Sequence, residues 1–317
     1  MSAEFILKRL AYIIVTLFLI SAAIFFVTQI LPGNAAQMIL GEHAAPGQIE
    51  ELVIKLGLNR PSIVQYGDWL GGILRGDWGT SLAIGQPVLN LTLTALARSA
   101  VLGAVALILV TIVAIPLGVL AADRQGRPTD VAVSVGSYIG VSLPEFVTAT
   151  LLLVIFTRPE LGLFPAGGYV SVAEGGVAAF LSHLVLPAVT LTIVMTAHIS
   201  RQTRSEMVEV LESDYVRTAR LKGLSHRAVL WRHALPNSLL PTITIIALDV
   251  GYLIGGILVV EEVFAYPGIG RLMIFAIQNR DLPLLQCVAL IISAIYALAN
   301  LIADLSYALV DRRIKYD

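Results

Sequence analysis

Three carboxylates stand inside long apolar runs of this chain: Glu145, Asp249 and Asp304. An ionised carboxylate in hydrocarbon is costly, so such a residue is expected to face a partner, a cavity or a polar path. Glu145 directly follows Pro144, a residue that breaks the hydrogen bonding of a helix interior. Asp249 is flanked by Gly251, Gly255 and Gly256, where helices can approach closely. Both are read as candidates for lining a translocation pathway, where they would meet a cationic group. The plainer reading is an internal hydrogen-bonded pair or, for Glu145, a helix end at the interface. Asp304, nearer the end of its run, is read as a structural partner of loop arginines. Ser142 and His198 supply the parts of an intramembrane serine–histidine dyad, with no oxyanion-hole motif beside them. None of the four lysines follows a glycine, so the Gly-Lys of a phosphate-binding loop is absent. The histidines lack metal-ligand spacing, and Cys287, in an apolar run, reads as a packing residue.

A different chemistry gathers between Arg201 and Ser238, which holds seven of the 21 basic residues. Val208, Leu211, Tyr215 and Ala219 recur at steps of three and four, predicting a helix that continues to Gly223 with one apolar face. Gly223 after Lys222 fits a left-handed cap behind a basic last turn. A second short element is expected over Ser225–Leu235, opened by Ser225 and stopped by Pro236. This bent knob suits either a docking element for a cytoplasmic protein or an amphipathic loop lying on acidic membrane lipid.

The elements that must carry these groups follow from where charge is missing. The chain is 317 residues long, 57% apolar and 14% charged, too little charge for the surface of a water-soluble domain. Its mean hydropathy is +0.83. Six stretches are long enough to cross roughly 30 Å of hydrocarbon as helices: Leu10–Leu31, Ser99–Ala122, Val131–Thr157, Gly175–Ser200, Leu239–Val260 and Leu284–Val310. None alternates in polarity as a barrel strand does. The first is longer than the apolar core of a signal peptide and is read as a retained helix. Placing the N-terminus in the cytoplasm puts 14 basic residues inside and seven outside, so both termini are cytoplasmic. Residues 1–96 are then one helix plus a long outer loop carrying Trp69 and Trp78, read as interface anchors or as facing a substrate-delivering protein. Residues 97–317 form a five-helix core with the cytoplasmic loop 201–238. A net charge of −1 gives no reason to expect nucleic acid.

Motifs in the same order sharpen this reading. Asp214-Tyr215-Val216-Arg217-Thr218-Ala219-Arg220-Leu221-Lys222-Gly223, followed by Arg232-His233-Ala234-Leu235-Pro236-Asn237, resembles the cytoplasmic loop of ABC-importer permeases. Ala219, Gly223, Leu235 and Pro236 match the general pattern of Glu-Ala-Ala, Gly and Ile-x-Leu-Pro at its spacing. Arg217, Thr218 and His233 stand where that pattern has Glu, Ala and Ile, the form usual in the dipeptide/oligopeptide/nickel branch. Further motifs of that branch run the length of the chain: Leu31-Pro32-Gly33, Leu56-Gly57-Leu58, Gly76-Asp77-Trp78-Gly79-Thr80-Ser81, Ile115-Pro116-Leu117-Gly118-Val119 and Ser142-Leu143-Pro144-Glu145-Phe146. After them come Leu163-Phe164-Pro165-Ala166-Gly167, Val260-Glu261-Glu262-Val263-Phe264, Pro267-Gly268-Ile269-Gly270, Arg280-Asp281-Leu282-Pro283 and the Asp304–Asp311 end.

The resemblance implies the first-subunit type of a type I ABC importer permease in the bacterial inner (plasma) membrane, importing di- or oligopeptides. Nickel chelates or another small solute are the alternative within the family, and a secondary transporter outside it. It implies a homologous second permease, two ATP-binding cassette subunits and an extracytoplasmic substrate-binding protein that docks on Pro32–Leu96 and Glu261–Pro283. ATP and Mg would lie on the cassette subunits, with no cofactor held by this chain. Tyr215, Arg217, Thr218, Ala219, Lys222, Gly223, Leu235 and Pro236 are the docking residues it implies.

Overall fold

The computed structural model describes residues 3–30, 46–55, 59–158, 160 and 162–310. The motifs Leu31-Pro32-Gly33 and Leu56-Gly57-Leu58, His43 and the basic residues Arg312, Arg313 and Lys315 lie outside them. Eleven helices of eight or more residues run through the described chain, in order α1 (Ala3–Ile30), α2 (Pro46–Lys55), α3 (Ser62–Leu74), α4 (Val88–Asp123), α5 (Pro128–Ser142), α6 (Glu145–Phe156), α7 (Val172–Leu211), α8 (Asp214–Leu221), α9 (Leu235–Val263), α10 (Ile269–Gln278) and α11 (Leu282–Val310). The helices α1, α4, α7, α9 and α11 are each long and apolar enough to cross a membrane, and α5 with α6 makes a sixth, broken span.

That break is the main departure from the expected third span, since α5 and α6 meet at 103°. Pro144 is the cause. It offers no N–H to α5, and it drives Leu143 out of the helical region to φ −88°, ψ 126°. At 15 and 12 residues, neither half reaches about 30 Å alone at about 1.5 Å per residue. Pro116 and Pro187, by contrast, lie inside helices that run on through them.

The described chain packs as two units, to both of which α4 and α11 contribute. In the first, built on Ala100–Tyr266, the core is a set of helical stripes: Leu102, Ala106, Val110 and Ala114 of α4 against Ala188, Leu191, Met195 and Ile199 of α7 and Leu253, Ile257 and Val260 of α9. Steps of three and four put each set on one helix face. Gly118 lets α4 approach α7 closely, because a Cβ there would lie 2.6 Å from the Ser200 carbonyl oxygen. Two of the sequence motifs meet at Phe264. Gly168 N–H donates to its carbonyl at 2.8 Å, and a Cβ on Gly167 would come within 2.3 Å of the same oxygen.

The second unit takes residues 3–99 with Pro267–Leu298. It joins two motifs 200 positions apart. Gly76 and Gly79 adopt φ of 88° and 84°, and the Asp77 carboxylate accepts from Gly79 N–H at 3.0 Å, making a tight loop. The loop delivers Ser81 to Asp281, whose carboxylate accepts from the Ser81 hydroxyl at 2.5 Å and from Ala83 N–H at 3.1 Å. Asp281 also caps α11, accepting from Leu284 N–H at 3.2 Å. Trp69 packs with Phe25 and Tyr66, and Trp78 against the apolar core of this unit. Cys287 is buried there beside Thr92. Asp281→Ala strips an acceptor from two backbone N–H groups and a buried hydroxyl, and is expected to destabilise this unit by about 2 kcal/mol. A lowered unfolding midpoint of the detergent-solubilised protein checks this.

Candidate functional site

The cytoplasmic knob is built by breaks in helices. The fourth-span helix does not continue to Gly223. Instead α7 ends at Leu211, and Ser213 turns extended at φ −70°, ψ 152° to open α8. The Ser213 hydroxyl bonds back to the Val210 carbonyl at 2.5 Å, the competition with backbone pairing that makes serine a helix interrupter. The break resets the helical phase. Val216 and Ala219, with Val229, form the buried face, and Tyr215 is 44% exposed.

A Schellman motif closes α8: Gly223 N–H donates to Arg220 O at 3.0 Å and Leu224 N–H to Ala219 O at 3.4 Å. Gly223 takes φ 81°, which explains the glycine. Ser225 then caps the next turn, accepting from Ala228 N–H. Pro236 does not stop the element as the sequence predicts. A π-turn over Val229–Ala234 precedes it and leads directly into α9; its wider ring relieves the clash a proline makes with the preceding turn. The His226 Nε2 lies 2.6 Å from Asp123 Oδ1, tying the knob to the end of α4.

Of the residues expected to dock a partner, Tyr215, Arg217, Thr218, Lys222, Gly223 and Pro236 are exposed. Ala219 and Leu235 are turned inward, Ala219 onto Val216 and Val229 and Leu235 onto Met207 and Leu230. Their small or apolar side chains hold the knob together rather than face outward. Three exposed apolar residues escaped the sequence reading: Leu221 at 80%, Leu224 at 42% and Trp231 at 48%. Leu221 stands at the end of the helix that the break at Ser213 opens, Leu224 just after the Gly223 cap, and Trp231 in the turn over Val229–Ala234. A second clamp stands just above the knob, where Arg204 of α7 grips Asp130 of α5 through two bonds of 2.5 and 2.7 Å.

Two of the three intramembrane carboxylates, Glu145 and Asp249, fall in one neighbourhood of α6, α7 and α9, while Asp304 stands on α11. Tyr252 donates its hydroxyl to Glu145, and Gly256, one turn further along α9, leaves room for that carboxylate, since a Cβ there would lie 2.9 Å from its Oε1. The Tyr252 ring is 5.9 Å from the His198 imidazole. Asp249 Oδ2 is buried without a hydrogen-bond partner. Sequence reading had named the two acids separately. Tyr252 was missed, although Asp249, Tyr252 and Gly256 follow one another at helical steps of three and four. The Ser142 hydroxyl donates to the Tyr138 carbonyl at 2.7 Å and His198 faces Tyr252, so the proposed dyad is not assembled.

Six apolar spans, one broken by proline, with a structured cytoplasmic knob and a cluster of polar side chains within the spans, define a multi-span membrane permease subunit. The chain belongs to the family described as "Binding-protein-dependent transport system inner membrane component", which matches residues 114–316, and its N-terminal counterpart matches residues 2–92. It is an inner-membrane protein. It is 42% identical to a Sinorhizobium fredii protein named "Probable peptide ABC transporter permease protein", over 98% of this chain and 99% of that one. It is 37% identical to an oligopeptide transport system permease of Bacillus subtilis, over 99% and 100%, and to a dipeptide transport system permease of Alkalihalophilus pseudofirmus, over 98% of each. The fold matches a structure of the MetNI methionine ABC transporter in inward-facing conformations, with a TM-score of 0.59 at 17% identity, over 72% of this chain and all of that one.

Proposed function

We propose that this chain is one half of the channel of an ATP-driven importer of di- or oligopeptides. The observation that carries this is the knob. A Schellman-closed helix holds Tyr215, Leu221 and Lys222 on its exposed side, outside every apolar span. Exposed apolar side chains ringed by Arg217, Arg220 and Arg227 suit a groove with an acidic rim on an ATP-hydrolysing subunit. Closure of paired cassette subunits on nucleotide would then push α8 and, through the Arg204–Asp130 clamp, the bundle. A homologous second permease completes the channel, and an extracytoplasmic binding protein delivers substrate to the outer loops. The peptide assignment is supported by the names of the full-length relatives. Uptake of a radiolabelled dipeptide by vesicles holding all subunits tests it; nickel-chelate uptake without peptide uptake would replace it.

Within the channel, Glu145 and Asp249 provide the negative field that a peptide's ammonium crosses. The unpartnered Asp249 oxygen is available to such a group. Glu145→Gln keeps the shape and can still accept from Tyr252, yet removes the charge. A charge-assisted bond contributes about 1.5–3 kcal/mol, so uptake is expected to fall about tenfold or more, with Asp249→Asn behaving alike. ATP hydrolysis stimulated by the binding protein should persist in both variants. Unchanged peptide uptake in both would remove these acids from the pathway.

A further inference from the structure

Between α5 and α7 the first unit holds a recess of about 70 Å³ whose polar lining is Ser134, Ser137, Tyr138, Ser200, Arg201 and Arg204. Arg201 is the first charged residue after the uncharged stretch Gly175–Ser200. With the knob in the cytoplasm, it stands at the depth of the head groups of the inner leaflet. Most of the lining is already partnered. Arg204 commits Nε and Nη2 to Asp130 and so neutralises it, and Ser134 bonds to the same carboxylate. The Ser137 and Ser200 hydroxyls share one hydrogen bond of 3.1 Å, which uses one of their two protons and leaves the other. Ser200 is buried at 1% exposure. Arg201 is different: it is exposed, and among the described residues it meets no carboxylate. Its guanidinium lies over the Tyr138 ring, 5.8 Å from the centroid. That contact holds it beside the recess and takes none of its five N–H donors. Tyr138 shares an apolar face of α5 with Val131, Val135 and Ile139, and this face is 49–58% exposed.

We infer that this recess binds the phosphate head group of an anionic phospholipid of the inner leaflet, with Arg201 as the anion-binding residue. The Ser137–Ser200 pair supplies a hydroxyl proton, and the acyl chains lie along Val131, Val135 and Ile139. The inference is independent of the solute that the channel carries. The recess is roughly twice the 30 Å³ or so that a water molecule occupies, room for the oxygens of one phosphate and for little else. The planar fork of arginine matches those oxygens. With Asp130 neutralised, the recess carries one net positive charge and offers nothing to the cationic end of a zwitterionic head group. The exposed apolar face alongside selects a lipid over a soluble phosphate, because only the lipid brings hydrocarbon to cover it.

The test uses the complete transporter in nanodiscs of phosphatidylcholine. The probes are phosphatidylglycerol and phosphatidylcholine, each with a photoactivatable diazirine in one acyl chain and each added at the same small mole fraction. On irradiation the phosphatidylglycerol probe should label peptides of α5 containing Val131, Val135 or Ile139 about fivefold more than the phosphatidylcholine probe, the ratio expected for one basic residue at the membrane surface. Arg201→Gln should lower phosphatidylglycerol labelling to the phosphatidylcholine level and leave the latter unchanged. Arg127→Gln removes the same charge from an exposed position just before α5 and outside the recess, and should leave the ratio near its wild-type value. Equal labelling by the two probes would overturn the inference. An equal fall in both variants would do so too, by assigning the preference to general attraction of the basic surface. Loss of labelling on adding millimolar glycerol phosphate would transfer the site to a soluble phosphate, and absence of α5 labelling by either probe would show that a partner subunit covers this face; both results overturn the lipid assignment.

Discussion

Gly223→Arg is expected to abolish peptide uptake and the co-purification of the ATPase subunit, while the permease still inserts and its bundle stays folded. The reason lies in the local backbone. Gly223 holds φ 81° at the end of the eight-residue helix α8, and a Cβ built there touches nothing within 4 Å. Within this chain the substitution therefore costs only the left-handed strain of about 1–2 kcal/mol. The long cationic side chain must project from the exposed side of the knob, next to Leu221 and Lys222, where a partner's groove would have to receive it. Gly223→Ala is the discriminating control, because it carries the same strain without the bulk. It should keep most of the uptake. Normal co-purification of the ATPase subunit with Gly223→Arg would show that the knob is not the docking element, and equal loss in both variants would assign the effect to backbone strain.

The second large effect is expected at Arg204. Its bidentate grip on Asp130 is unequally buried, the arginine side chain being 30% exposed and the aspartate 6%. Arg204→Ala leaves a buried carboxylate whose remaining support includes the Gly126 N–H at 2.9 Å. Breaking a pair in this way costs about 3 kcal/mol, or about a hundredfold in an equilibrium. Asp130→Ala leaves a charge that can still reach water, so the loss should be smaller. The double variant should be more stable than Arg204→Ala alone, because no unpaired charge is left buried. Unfolding midpoints of the three purified proteins measure this, and strictly additive losses would show that the clamp is not coupled. Since the clamp joins the first half of the broken span to the helix that leads into the knob, Arg204→Ala should also lower peptide-stimulated ATP hydrolysis.

Much of the architecture was legible without coordinates because the membrane imposes it. A charge-free stretch of about 20 residues has few alternatives to a spanning helix, and five of the six spans appear where charge was missing. The cap at Gly223 was equally legible, since glycine after a basic turn has a local cause. Local rules failed where the outcome depended on what a segment packs against. Periodicity carried one apolar face from Val208 through Tyr215, whereas the break at Ser213 shifted the phase and buried Val216 in place of Tyr215. Pro236 looked like a stop, yet a π-turn absorbed it.

The sequence by itself determined the solvent of this protein, its spans, their orientation and the cytoplasmic loop where its basic residues gather, because each of these follows from composition along a single stretch of chain. Only the tertiary structure decided that Gly76–Ser81 closes onto Asp281 and that Glu145 meets Tyr252 and Gly256. Those pairings join residues between about 100 and 200 positions apart, and which face of one helix meets which face of another depends on packing over the whole bundle.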